Sequence, residues 1–150
     1  MKKSFALIGF LGIFLVSCAQ TTVQSNIPSV VTNSFQKQFP NATGVEWEIR
    51  DNVYNVEFEA SNNEHEVWID SRGKIISHKT EIRVSQVPAH IVAAVKRDFP
   101  DFRIDDADKY EADSQVTYKL ELDKGTFDRT GIEWKVTYDN SGKLLSKIAD

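Results

Sequence analysis

Sulfur is almost missing from this 150-residue chain, which holds one cysteine and one methionine. A lone cysteine excludes an intrachain disulfide framework and any paired-thiol redox centre. Proline and glycine are sparse, at 4 and 7 residues, which excludes collagen-like and linker-like compositions. Basic charge is short: 18 Lys and Arg stand against 22 Asp and Glu, a net charge of −4. No basic stripe exists to draw a nucleic acid. No apolar run reaches the roughly 20 residues that a membrane-spanning helix needs; the longest is Phe5–Val16. Signatures of catalysis are missing as well: there is no Gly-x-Ser-x-Gly elbow, no phosphate loop and no His-Glu-x-x-His.

What is present starts with Lys2 and Lys3, followed by the apolar stretch Phe5–Val16 and then Leu15-Val16-Ser17-Cys18. This order is that of a secretory signal, expected over residues 1–17. The last four residues resemble the lipobox of bacterial lipoproteins. The resemblance implies cleavage before Cys18 and acylation of its sulfur and new amine. Several acyl chains anchor firmly where one would be marginal. Removing residues 1–17 takes Lys2 and Lys3, leaving 16 basic against 22 acidic residues, a net charge of −6. Residues 18–26 are polar and uncharged after the cysteine and read as a lipidated tether. The expected location is a bacterial membrane, most simply the outer membrane, and the absence of an acidic run after Cys18 favours the periplasmic side over the cell exterior.

Beyond the tether the chain says the same thing twice. Ile27-Pro28 opens a stretch ending at Phe39-Pro40, and Val87-Pro88 opens one ending at Phe99-Pro100, 60 residues later at both ends. Val67–Ile76 matches Val136–Leu145, with Asp70-Ser71-Arg72-Gly73-Lys74 answering Asp139-Asn140-Ser141-Gly142-Lys143. In the first stretch Ile27, Val30, Val31, Phe35 and Phe39 fall at helical spacing, and in the second Val87, Ile91, Ala94, Val95 and Phe99 do. A proline opens each helix where its missing N–H is harmless, and another ends it.

After each helix the period changes to two. Val45, Trp47 and Ile49 are expected inward, then Tyr54, Val56 and Phe58, then His65, Val67 and Ile69, with Glu46, Glu48, Glu57, Glu59, Glu64, Glu66 and Trp68 on the other side. In the second unit Tyr118, Leu120 and Leu122, then Trp134, Val136 and Tyr138, take the matching inward places, and Leu144, Ser146 and Ile148 close the chain. The strand over Ile104–Tyr110 is weak, crowded by Asp105, Asp106 and Asp108. Neither unit could bury its apolar face well alone. The expectation is therefore an α+β fold of two tandem repeats, 27–84 and 87–150, each a helix plus antiparallel strands. Both helices would lie on one face of one antiparallel sheet, over a single shared hydrophobic interior.

The (Ile/Val)-Pro opening, the amphipathic helix, Phe-Pro, the aromatic hairpin and Asp-x-x-Gly-Lys-(Ile/Leu)-(Ile/Leu) together resemble the PepSY-like, or β-lactamase-inhibitor-like, proteins. The resemblance covers Ile27 to the C-terminus in two copies. It implies a two-layer fold like that of β-lactamase inhibitor protein, export, and binding or inhibition rather than catalysis. No inhibitory residue of that family maps here one by one.

The residues themselves point the same way. Cys18, as the lipid site, leaves no cysteine nucleophile. His65, His78 and His90 lie on separate elements and read as structural or surface residues, and Glu64 and Glu66 flank His65 from the opposite face. No metal and no cofactor is expected. Asp101–Asp108 lacks the glycine and closing glutamate of an EF-hand loop. Trp68, set among glutamates on the open side, has the composition of an interface anchor. Glu57 and Glu66 beside it, and Phe127 and Arg129 in the longer 124–131 loop, complete the candidate partner-binding set. The expected function is a lipid-anchored, non-enzymatic module that binds an envelope protein, peptide or polymer through these residues, including as an inhibitor of a hydrolase. The alternative is a calcium-dependent or acid–base enzyme using the open-face carboxylates.

Overall fold

The computed structural model describes residues 26–124 and 133–149. A helix, α1 (Ser29–Gln38), precedes four strands: β1 (Thr43–Arg50), β2 (Val53–Ala60), β3 (Asn63–Asp70) and β4 (Ile75–Glu81). After a 3-10 turn at Val84–Gln86 the order recurs. Helix α2 (Ala89–Asp98) leads to β5 (Arg103–Ala112), β6 (Gln115–Asp123), β7 (Trp134–Asp139) and β8 (Leu144–Ala149). All eight strands form one antiparallel sheet in the order β1 to β8. The two helices cover one of its faces, giving the expected two-layer α+β fold.

The helices begin and end where the prolines place them. Pro28 and Pro88 cap them through their carbonyls, which accept from Val31 N and Ile91 N at 2.9 Å. Phe39 and Phe99, forced out of helical geometry by the prolines that follow, still donate N–H bonds to Phe35 O and Val95 O at 2.8 and 2.7 Å. Asp51-Asn52, Ser61-Asn62 and Asp113-Ser114 all take positive φ. That is the turn whose twist matches two antiparallel strands, and Asn and Asp tolerate it.

The Asp-x-x-Gly-Lys segment is a docking turn. Asp70 Oδ1 accepts from the N–H groups of Arg72 and Lys74, both at 2.9 Å. Asp139 Oδ1 accepts from Ser141 N at 2.8 Å and Lys143 N at 3.0 Å. Each turn is then fastened to its helix: Ser34 Oγ donates to Gly73 O at 2.6 Å, and Arg97 and His90 donate to Gly142 O and Asn140 O at 3.3 and 3.1 Å. These bonds hold both carboxylates below the ordinary range, Asp70 chiefly through Lys74 N–H and Asp139 chiefly through the Ser141 hydroxyl. A depressed native pKa adds stability that is present above about pH 4, the unfolded value, and is lost as pH falls through the native one. Asp108 and Glu81, raised first by burial, act in the opposite sense. Asp98, lowered chiefly by its hydrogen bond from Arg97, acts in the same sense as the turns, so the comparison is with the parent: in urea titrations from pH 5 to pH 3, Asp70→Asn/Asp139→Asn should show a shallower loss of stability. Parallel pH profiles would remove the turns from the account.

The interior differs from the sequence expectation. It is not one shared core but two. Val31, Phe35, Tyr54, Val56, Phe58, Val67 and Ile69 form the first cluster. The second gathers α2 with Ala107, Tyr118, Leu120, Leu122, Val136 and Tyr138. Between them, on the helix-covered face, run His65, His78, Thr80, Lys109 and Glu111, paired across β3, β4 and β5. This polar seam exists because β4 carries a bulge: Ile69 pairs with Ile75, but Trp68 pairs with Ser77. The extra residue reverses the phase of the strand, so His78 and Thr80 turn toward the helices.

A bulge at the same place in β8, where Tyr138 pairs with Leu144 but Thr137 with Ser146, turns Ile148 outward to 65% exposure. Val45, within an irregular step of β1, and Val30 on α1 are exposed against expectation. Trp47 and Trp134 flank the two clusters, half-buried. The weak strand of the second half is in fact the ten-residue β5, bonded on both sides.

Candidate functional site on the open sheet face

With both helices on one side, no layer of the described residues lies over the other face of the sheet. Strand register decides which side chains meet there. Glu46, Glu57, Glu66, Lys79 and Tyr110 form one row across β1 to β5, since each is the register partner of the next. Glu48, Asn55, Trp68, Ser77 and Ala112 form the adjacent row. The structure therefore brings Glu57, Glu66 and Trp68 together. Trp68 is half-buried, not fully exposed. Phe127, Arg129 and Cys18 lie outside the described residues.

The centre of this face is more charged than the sequence alone suggested. Glu57, Glu64, Glu66, Lys79, Glu81 and the edge of His65 line a dent of about 120 Å³. Lys79 reaches Asp108 at 3.6 Å. Burial pulls the Lys79 ammonium down, but Asp108, Tyr110, Glu66 and Glu81 together outweigh it and hold it above its usual range. Asp108 is raised by burial and by Asp106, with Lys79 opposing. Burial, then Asp108, raises the Tyr110 phenol. Glu66 Oε1 accepts from Asn55 Nδ2 at 2.6 Å, while Asn55 Oδ1 is buried with no hydrogen-bond partner. An unsatisfied buried acceptor of this kind costs about 1–3 kcal/mol, and it sits on the strand beside Trp68.

Lys79 and Tyr110 were not singled out from sequence, and Asp108 was read only as one of the acids crowding a weak strand. The period-two run Asp106, Asp108, Tyr110 was a usable signal for their shared face. The carboxylates are spread along rows. Among the described residues no three or more His, Cys, Asp or Glu side chains gather to cage an ion.

A sequence profile described as "Putative beta-lactamase-inhibitor-like, PepSY-like" matches residues 15–77 and again 61–146. Among solved structures, the fold is similar to that of a DUF2874 family protein from Bacteroides ovatus, at 22% identity and a TM-score of 0.69, over 81% of this chain and 86% of that one. It is similar to a BLIP-like protein from Bacteroides fragilis, at 20% identity and a TM-score of 0.67, over 81% and 85% of the two chains. It also resembles a protein from Bacteroides eggerthii titled "putative periplasmic proteins", at 18% identity and 0.69, over 81% and 88%. At these identities the likeness is one of fold. No curated protein matches the chain.

Proposed function

The chain belongs to the PepSY-like, β-lactamase-inhibitor-like family, and on that premise we propose that it is a non-enzymatic binding module held at the bacterial cell envelope. Cys18 carries the lipid, residues 18–26 are the tether, and the domain that follows engages a protein, a peptide or an envelope polymer. The contact surface is the open sheet face around Trp68, Glu57 and Glu66, with Phe127 and Arg129 of the 124–131 loop beside it. One observation carries this reading: among the described residues, helices cover only one side of the sheet, so a broad face with an aromatic anchor in a polar frame is left for contact. The fold similarity to a BLIP-like protein and to a chain titled as periplasmic supports both the mode of action and the compartment. Export through residues 1–17 and outer-membrane retention complete the proposal.

The test is capture from envelope extract, with and without Trp68→Ala and Phe127→Ala in one chain. The pair should lower affinity for a captured partner about tenfold or more, as truncation of aromatic anchors does. An undiminished partner after both substitutions moves the binding surface elsewhere. The narrower form, inhibition of a hydrolase, predicts saturable inhibition of at least one member of a panel of periplasmic proteases and β-lactamases. A panel without any inhibition removes that form and leaves the binding module.

A further inference from the structure

We propose that His65, His78 and Thr80, in the seam between the two halves, form a binding site for a transition-metal ion of the imidazole-preferring class, Zn²⁺, Cu²⁺, Ni²⁺ or Co²⁺. The sequence reading expected no metal, because the two histidines lie on different strands. The bulge in β4 brings them together. His65 Nδ1 and His78 Nε2 are 2.9 Å apart, and Thr80 Oγ1 stands 3.2 Å from the first and 3.3 Å from the second. Three donor atoms at the corners of such a triangle describe the face of a tetrahedral site. An ion about 2.0–2.1 Å from each ligand holds its ligands roughly 3.3 Å apart, so two edges already fit and the third opens by a few tenths of an ångström. The fourth position points away from the triangle and is left for water.

The outer nitrogens favour this use. His65 Nε2 lies 3.0 Å from Ala60 O. A carbonyl only accepts, so the proton sits on Nε2 and the neutral ring leaves Nδ1 bare toward the triangle. His78 Nδ1 faces Glu111 Oε2 at 3.7 Å, and Lys109 holds the other oxygen of that carboxylate at 3.0 Å. With no ion present, the 2.9 Å contact is a hydrogen bond that His78 Nε2–H donates to His65 Nδ1; a proton moved to His78 Nδ1, toward Glu111, leaves Nε2 bare for an ion. Carbonyl–histidine–metal and carboxylate–histidine–metal chains are the usual outer arrangement of ligating imidazoles. A cation would take the place of the proton that the two nitrogens share at 2.9 Å.

The rings are also held in place. His65 stacks on Phe58 with centroids 5.1 Å apart, and Phe39 sets its edge on His78 at 5.2 Å. The His78 side chain keeps 19% of its surface exposed, which leaves an entry path. Nor does the fold demand imidazoles here. In the second half the matching places are taken by Trp134 and by Lys147, whose ammonium lies 5.5 Å over the indole.

The test uses the full-length chain, stripped with EDTA and titrated with Zn²⁺ by calorimetry and with Co²⁺ by visible absorption. The expected result is saturable 1:1 binding with a tetrahedral Co²⁺ band. His65→Gln and His78→Gln should each abolish both, Glu111→Gln should weaken binding about tenfold or more, and His90→Gln should change neither. Circular dichroism of each variant confirms that it remains folded. If the parent binds no metal, the triangle is only a hydrogen-bonded pair sharing a proton and the proposal falls. Binding that survives both histidine substitutions places the ion elsewhere and overturns it equally. Neither outcome bears on the open face.

Discussion

Phe35→Ala is expected to cost about 3–5 kcal/mol, the usual range for truncating a buried phenylalanine. Phe35 is 4% exposed and sits at the centre of the first cluster. Its ring meets Phe39 at 5.6 Å, Trp47 at 5.3 Å and Phe58 at 5.0 Å, so alanine would leave a void bounded by three rings held by separate elements. A ring set between a helix and two strands has little freedom to collapse inward. Against a total of about 5–15 kcal/mol for a domain of this size, the loss takes much of the margin.

The same variant tests how the two halves depend on each other. They have separate hydrophobic clusters, yet each is a helix on four strands and too small to be secure alone. Loss of the first half would also strip β5 of its partner β4 and open the polar seam to water. The expected result is therefore one transition. Trp134, reporting on the second half, should unfold at the same lowered urea midpoint as Trp47 in the first. A Trp134 transition that keeps its parental midpoint would show two independently stable units.

Among the glycines of the described residues, Gly73→Ala should be the most damaging substitution, at roughly 2–4 kcal/mol. Its φ of +83° lies where an L side chain is strained, a conformational cost of about 1–2 kcal/mol. A Cβ there would also stand 2.8 Å from Val30 O, a backbone atom on α1 that cannot swing aside. To relieve that contact the turn has to lift from the helix, which sacrifices the Ser34 Oγ bond to Gly73 O, worth about 1 kcal/mol. Gly142 is the internal control. It has the same φ, +82°, but a Cβ there meets Ala94 and His90 O at 3.5 and 3.6 Å, ordinary contact distances. Gly142→Ala should cost the conformational part alone. Equal losses by chemical denaturation would mean that the close approach of turn and helix at Gly73 contributes nothing.

The repeated Asp-x-x-Gly-Lys segment, which did most to suggest the family, thus acts in folding. It fixes each strand turn to its helix, away from the open face on which contact is proposed. That division was partly legible beforehand. Alternation in β2 and β3 put Glu57, Glu66 and Trp68 on one side and Val56, Val67 and Ile69 on the other, and the register agrees. It failed where the strands are irregular. Val45 came out exposed inside the irregular step of β1, and the extra residue at the start of β8 reversed inside and outside for the residues after it, Ile148 among them.

Local chemistry, read along the chain, determined the elements of this protein. Prolines set both ends of the helices, paired polar residues set the hairpin turns, and periodicity set which strand positions are apolar. These are short-range effects, complete within a few residues. Only the tertiary structure decided that the apolar residues divide into two cores, that His65 and His78 meet in a seam between them, and that Lys79 and Asp108 stand at the middle of the open face. Each of those outcomes depends on which strand lies beside which and on one extra residue in β4. Pairing of that kind joins positions far apart in the chain, and no local pattern records it.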